Sequence, residues 1–429
     1  LAEGGPVEAV GIANQRASTI VWDRATGTPV GPGLGWQDLR TVGSCLELQS
    51  QGIRVAPNAS ATKMAALLDA ADPDRSRSER GELAAGTVDT WVAWVLSGGR
   101  LHVTDASNAG VTGLISADGS GWNPKVLGAL GIPETLLPVI VDSTGEVGLA
   151  DALPGTPVIA GIAGDQQASL IGQGCTRPGL AKATFGTGGM LDQCTGPERP
   201  LLADRGPAGT IPIIAWRRAG RITWGVEAIM LSAGTCVEWL RDDLAIIDSA
   251  RHSAEVAGRC EETGDVWFVP ALLGLGTPVW DFGARGTFVG LTRGSGRPEL
   301  VRAVLEGVAH RGADLAEAAE ADSGLPIGPL RVDGGMSDNP VFTQALADAC
   351  GRPIEISPVL EATTLGAAYL AGMATGVWAD EEEVAAAWTP RSVVDPRGSD
   401  DERAARRSRW LDARGRSEAT IPELSALDF

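Results

Sequence analysis

The first residue in this chain with chemistry to offer is an aspartate at the end of an apolar run. In the segment VIAGIAGDQQASLIGQG, residues 158–174, Val158, Ile159 and Ile162 suit a strand covered on both faces, and Asp165, Gln166 and Gln167 follow it. Ala168 and Ile171 then fall at helical spacing, so a helix is expected to start at or near Asp165. A carboxylate so placed has two uses. It can cap the helix by accepting from free backbone amides, the commoner case, or it can serve catalysis. This stretch alone leaves both open.

Three small-residue turns could receive a phosphorylated ligand. ATFGTGGM, residues 183–190, sets Gly186, Thr187, Gly188 and Gly189 between two extended runs. The exposed amides and hydroxyl of such a hairpin can meet phosphate oxygens, and it can equally be an ordinary glycine hairpin. LRVDGGMSDN, residues 330–339, reads as strand, Gly-Gly and helix start, which lets a nucleotide approach the backbone at a positive helix end. LSAGTCVEWL, residues 231–240, could bring Gly234 and Glu238 beside that nucleotide, although close helix packing explains Gly234 as well.

Other chemistries lack support. The three lysines, Lys63, Lys125 and Lys182, precede Met, Val and Ala, so no phosphate loop of the G-x-x-x-x-G-K-[ST] type exists. No G-x-G-x-x-G opens a strand–helix–strand unit. His102, His252 and His310 stand far apart, without the pairing of a metal site or a serine triad, and no metal ligands are assigned. The six cysteines form no C-x-x-C pair, which indicates neither zinc nor a disulfide framework and fits a reducing cytoplasm.

The elements that must position these residues alternate in type. Strand-like AVGIA and TIVWD precede helix-like SATKMAALLDA, and strand-like PLRVDGG and PIEISP flank helix-like NPVFTQALADAC. The alternation predicts an α/β architecture, with a boundary near residues 173–179 where GQGCTRPG breaks the pattern. A chain of 429 residues, 44% hydrophobic, can fill two or three cores. With 35 basic and 54 acidic residues its net charge of −19 repels nucleic acid and anionic membrane. The densest basic stretch, residues 401–416, is mixed with acids and reads as a solvated helix near the C-terminus. No secretory leader and no apolar run long enough to span a membrane are present in these residues. Residue 1 is Leu, and a strand is already under way by Val7, so the native start is expected upstream.

Six blocks together resemble the FGGY carbohydrate kinases, and most of all the glycerol kinases among them. They are GIANQRASTIVWDRATGTPVGPGLGWQDLRT (residues 11–41), GIAGDQQASLIGQG, ATFGTGG, ALLGLGTPVWDFGARGTFVGLTRG (271–294), LRVDGGMSDN and EATTLGAAYLAG (361–372), in family order over nearly the whole chain. The resemblance implies two actin-like (ribonuclease H-like) domains with an interdomain active-site cleft. An N-terminal, substrate-side domain would cover residues 1–173, and a nucleotide-side domain residues 174–429. It implies ATP and Mg²⁺ as cofactors, a small polyol or sugar as acceptor, and a possible homodimer or tetramer. Asp165 would be the general base for the acceptor hydroxyl, and Gln166, Arg16 and Trp36 would hold the acceptor. Thr187 with Gly186 and Gly188 would meet the phosphates, while Gly234, Glu238, Gly335 and Asn339 would surround the adenosine.

The chain departs from the family pattern in four places. Glycerol kinases read N-Q-R-E-T where this chain has Asn14 to Ser18, so a methyl group at Ala17 replaces an acceptor-gripping carboxylate, and Asn58 matches a pocket tyrosine. Vacated polar contacts disfavour glycerol itself and make room for a larger polyol or a sugar. The family's D-x-G-T hairpin is absent from these residues, and so is its G-T-R regulatory stretch, which reads Gly155-Thr156-Pro157. A non-catalytic actin-fold protein that binds a ligand without turnover is the alternative.

Overall fold

The computed structural model describes residues 5–202 and 204–428. The apolar run expected to be covered on both faces is the strand Val158–Gly164, in which every residue after the first is buried. It pairs in parallel with Ala9–Asn14 and antiparallel with Thr144–Leu149. A single pairing, Arg218 with Thr144, joins these three strands to the sheet of the second half and gives a continuous ten-stranded sheet. In the second half the hairpin Ala181–Phe185/Gly189–Gly196 sits at the centre. Arg221–Met230 and Ile211–Arg218 extend it antiparallel on one side, and Leu330–Asp333 and Ile354–Ile356 run parallel on the other.

The 27-residue helix Arg297–Ser323 covers this second sheet. Glu299 accepts from the Gly296 amide at 2.9 Å at its start, and Gly324, at φ 70°, ends it in the left-handed conformation. Val301, Val304, Leu305 and Val308 bury one stripe of it against Phe185, Leu191 and Phe342.

Two helices hold the halves together. Asp165–Gly172 continues from the buried strand, and Ala362–Ala374 crosses it backbone to backbone. The sequence permits this because glycine stands at the crossing. A Cβ on Gly366 would lie 1.8 Å from the Ala168 carbonyl oxygen, and one on Gly172 would lie 2.0 Å from that of Ala362. The second helix also lies on the first strand, where a Cβ on Gly11 would come 2.1 Å from the Ala367 oxygen. Only hydrogens fit there.

The charged helix near the C-terminus, Asp400–Gly415, is not simply solvated. Trp410 is fully buried on it, stacks on His310 with centroids 5.2 Å apart, and donates to Asp314 Oδ1 at 3.1 Å. Arg407 and Arg414 reach the same buried carboxylate at 2.7 and 3.3 Å, beside Arg311 at 2.6 Å. Burial alone would raise the Asp314 pKa; three guanidinium groups outweigh it and hold the acid below its usual range.

Substitution tests the helix crossing. Gly366→Ala should destabilise the protein by about 1–3 kcal/mol, the usual cost of overpacking, as read by urea unfolding. Gly415→Ala, where the added carbon would meet nothing within 4 Å, should be neutral. Equal midpoints for the two variants would rule out the backbone contact.

Candidate active site

Arg16 leaves the first strand in a tight turn that Ala17 closes at φ 62°, a left-handed conformation unusual for alanine. The turn is tied on two sides. Ser60 Oγ donates to the Ala17 carbonyl at 3.0 Å, and the Trp36 amide donates to Ser18 Oγ at 3.2 Å. Asn58 lies in the loop just before Ser60. The buried Lys63 ammonium fixes that loop by donating to the carbonyls of Pro57 and Ala59 at 2.8 and 3.0 Å, and burial pushes its pKa down to about 8. Arg16, Ala17, Trp36 and Asn58 therefore form one wall, with Trp36 and Asn58 exposed.

Asp165 opens its helix as the first helical residue. Gly164 takes the cap position, with its amide donating to Ser107 Oγ at 3.0 Å, and Asp165 Oδ1 accepts from the Gln166 amide at 2.8 Å. An acid in the first turn also suits the positive end of the helix dipole. Arg16 Nε stands 3.3 Å from Asp165 Oδ1, while its Nη2 stands 2.7 Å from Glu227 Oε1. The Asp165 side chain remains 35% exposed, against 11% for Arg16 and 5% for Glu227. The carboxylate is thus oriented by a buried cation and still open to a ligand.

Gln166 turns toward the second half. Its Oε1 accepts from Lys182 Nζ at 2.6 Å, and Lys182 also bonds Thr184 Oγ1 at 3.1 Å and pairs with Asp192 at 2.7 Å. Ser169, one turn further along the helix, donates to Asp333 Oδ2 at 3.1 Å. Burial raises the pKa of Asp333 against the opposing pull of Lys182. Motif reading missed Lys182, Asp192 and Glu227. Their one signal is a charged residue inside an otherwise apolar strand, which needs a partner to be buried.

The glycine turns meet at the Phe185 end of the central strand. The Gly234 amide donates to the Gly186 carbonyl at 2.8 Å, and the Thr187 carbonyl accepts from Ala233 and Thr235 at 3.0 and 3.2 Å. A Cβ on Gly234 would lie 2.5 Å from Gly186 O, so this glycine is required by close backbone packing. Gly334, at φ 88°, is pressed against the Phe185 carbonyl, and Gly335 begins a short 3₁₀ turn. Asn339 caps the helix Pro340–Cys350, accepting from Val341 and Phe342 at 3.0 and 3.2 Å and donating to Ser253 at 3.0 Å. Glu238 is exposed one helical turn past Gly234. Added carbons at Gly186 and Gly335 would meet nothing within 4 Å, which leaves a backbone-lined cradle fit for a nucleotide. Among the described residues no group of three or more His, Cys, Asp or Glu side chains is arranged to hold a metal ion.

An oriented, accessible carboxylate between the Ala17 turn and the glycine turns, on this two-half α/β frame, fits a phosphotransferase of the two-domain actin-like class. Residues 3–172 match the N-terminal domain of the FGGY family of carbohydrate kinases and residues 181–375 its C-terminal domain. The chain belongs to that family, as a glycerol-kinase-like enzyme that phosphorylates a hydroxyl of a polyol or sugar with ATP. It is 43% identical to a glycerol kinase of Halorhodospira halophila over 96% of this chain and 83% of that protein. It is 42% identical to glycerol kinase 2 of Thermotoga maritima over 96% and 84%. The crystal structure of Plasmodium falciparum glycerol kinase with ADP superimposes with a TM-score of 0.89 at 30% identity, covering 96% of this chain and 84% of that one.

The cap at Asn339 gives a direct test of the cradle's support. Asn339→Ala should cost about 1 kcal/mol in urea unfolding, whereas Asn339→Asp, which keeps the accepting oxygen, should cost markedly less. Equal losses would place the stabilisation in the Ser253 bond instead.

Proposed function

We propose that Asp165 is the general base that takes the proton of the acceptor hydroxyl. The observation that carries this reading is its position: it stands at the end of a rigid buried strand, held by Arg16 and one-third exposed, between the two binding surfaces. Phosphoryl transfer asks little covalent chemistry of the protein beyond orienting the nucleophile and stabilising charge. Arg16, Trp36, Gln166 and the wall at Ala17 and Asn58 would bind the acceptor. The relatives named above are glycerol kinases, but Ala17 and Asn58 offer a methyl group and a short amide where a carboxylate and a tyrosine are usual. That difference favours a polyol or sugar larger than glycerol.

The phosphates of ATP would lie on Gly186, Thr187 and Gly188, with Gly234, Glu238, Gly335 and Asn339 around the nucleoside. Mg²⁺ would come with the triphosphate and neutralise charge on the transferring group; it would take one or two protein carboxylates other than Asp165 and keep its remaining ligands as water and phosphate. Residues 1–173 and 174–429 would act as the two closing bodies and exclude water from the phosphoryl group. The six unpaired cysteines support a reducing, cytoplasmic setting.

ADP release measured with MgATP against glycerol, larger polyols and pentoses tests the reading. Acceptor-dependent turnover is expected, and Asp165→Asn should lower kcat by about 10²–10⁴-fold with the KM for ATP nearly unchanged. Undiminished turnover in that variant would remove Asp165 from the role of base. ATP binding without turnover on any acceptor would favour a non-catalytic protein.

A further inference from the structure

A row of charge crosses the second sheet beneath the helix that begins at Asp165. Strand pairing sets Arg331 beside Lys182, Lys182 opposite Asp192, and Asp192 opposite Glu227. Residues in register on adjacent strands share a face, so the four side chains form a continuous line. Each end of the helix is gripped by it. Arg331 donates to the Gln173 carbonyl just past the helix, where a cation suits the negative end of the dipole, and Lys182 bonds Gln166 in the first turn. At the far end Arg16 closes the line on Glu227.

Arg16 is shared unequally. Its contact to Glu227 is 2.7 Å and that to Asp165 is 3.3 Å, so the buried acid of the second sheet holds the guanidinium more closely than the exposed acid does. Glu227 also faces the buried Asp192 on the neighbouring strand, and like charges in register oppose each other. We propose that Glu227 is a positioning residue: it competes with Asp165 for Arg16, and the charge of Asp192 across from it makes this hold depend on pH. When Glu227 is ionised it holds Arg16 and leaves the Asp165 carboxylate free to accept from the acceptor hydroxyl. When Glu227 is protonated, Arg16 moves onto Asp165 and occupies that carboxylate instead.

The charged groups that face Glu227 and Asp192 from the packed elements are Arg16, Lys182 and Asp333, with Asp165 across Arg16 and Arg331 beyond Lys182. Burial raises the Glu227 pKa most, Arg16 opposes it, and Asp192 adds to the rise, leaving it at about 7 against an ordinary 4.5. The ionised fraction of such a group rises about tenfold between pH 6 and pH 8. The sign for stability is opposite to that for activity. An acid raised in the folded state binds its proton more tightly there, so its contribution to stability falls as pH rises from about 4.5 to about 7.

This inference rests on Asp165 being the base, and the experiment separates the two. Acceptor kcat/KM is measured from pH 6 to pH 8 with glycerol and MgATP, or with the best acceptor of the panel if glycerol is not turned over. The wild-type value should rise about tenfold. Glu227→Gln should flatten the profile and leave the KM for ATP unchanged. Asp192→Asn should move the rise to lower pH, because the opposing charge is gone, and it supplies the test if Glu227→Gln does not fold. A parallel loss at every pH, with the wild-type slope kept in both variants, would show a structural role only and overturn the proposal. If Asp165→Asn abolishes turnover while Glu227→Gln keeps the slope, the base reading stands and the tether fails.

Discussion

One guanidinium joins the two halves beside Asp165. Arg16 comes from the first strand of the first half and meets Asp165 on one side and Glu227, from the second sheet, on the other. At 11% exposure its charge has little water to solvate it, so both carboxylates are needed to keep it buried; burial alone would lower its pKa, and Glu227 and Asp165 outweigh that and drive it further up. A group bound on both sides cannot be moved without moving the surfaces it joins. The direction of Asp165 therefore depends on how the second sheet sits against the first.

That dependence explains the glycines between the halves. The helix that presents Asp165 must lie close to both sheets, and it does so by crossing Ala362–Ala374 with only hydrogen at Gly172 and Gly366. Close backbone contact resists small displacements because any approach meets carbonyl oxygen, while a larger rotation of one body against the other can preserve it. The crossing thus fixes how the two halves meet, with the Ala17 turn on one and the glycine turns on the other.

Local pattern made the strand Val158–Gly164, the helix after it, the central hairpin and the helix Pro340–Cys350 readable, because each carries its own periodicity and its own stop signal. Asp165 and the three glycine turns were readable as motifs for the same reason. Lys182, Asp192 and Glu227 were not. Each is a single charge in an apolar strand, and what makes them a line is strand register between segments up to some forty residues apart, which no short window contains. The helix Asp400–Gly415 was misread as surface on the same ground: the acid that its arginines neutralise, Asp314, lies some ninety residues earlier.

Buried charge in this protein falls into two kinds. Around Asp314 the arginines outnumber the acid, every partner is close, and the carboxylate is held well into its ionised form, which suits a permanent fastening of the last helix to the core. Around Glu227 the balance is nearly even, with two cations against two buried acids and one exposed acid. Asp192 and Glu227 each keep a carboxylate oxygen without a hydrogen-bond donor beyond the ion pairs. Such a cluster can gain or lose a proton at small cost, whereas the first cannot. Nearly balanced charge is a poor fastening and a good adjustable support, and it lies directly beneath the helix that presents Asp165.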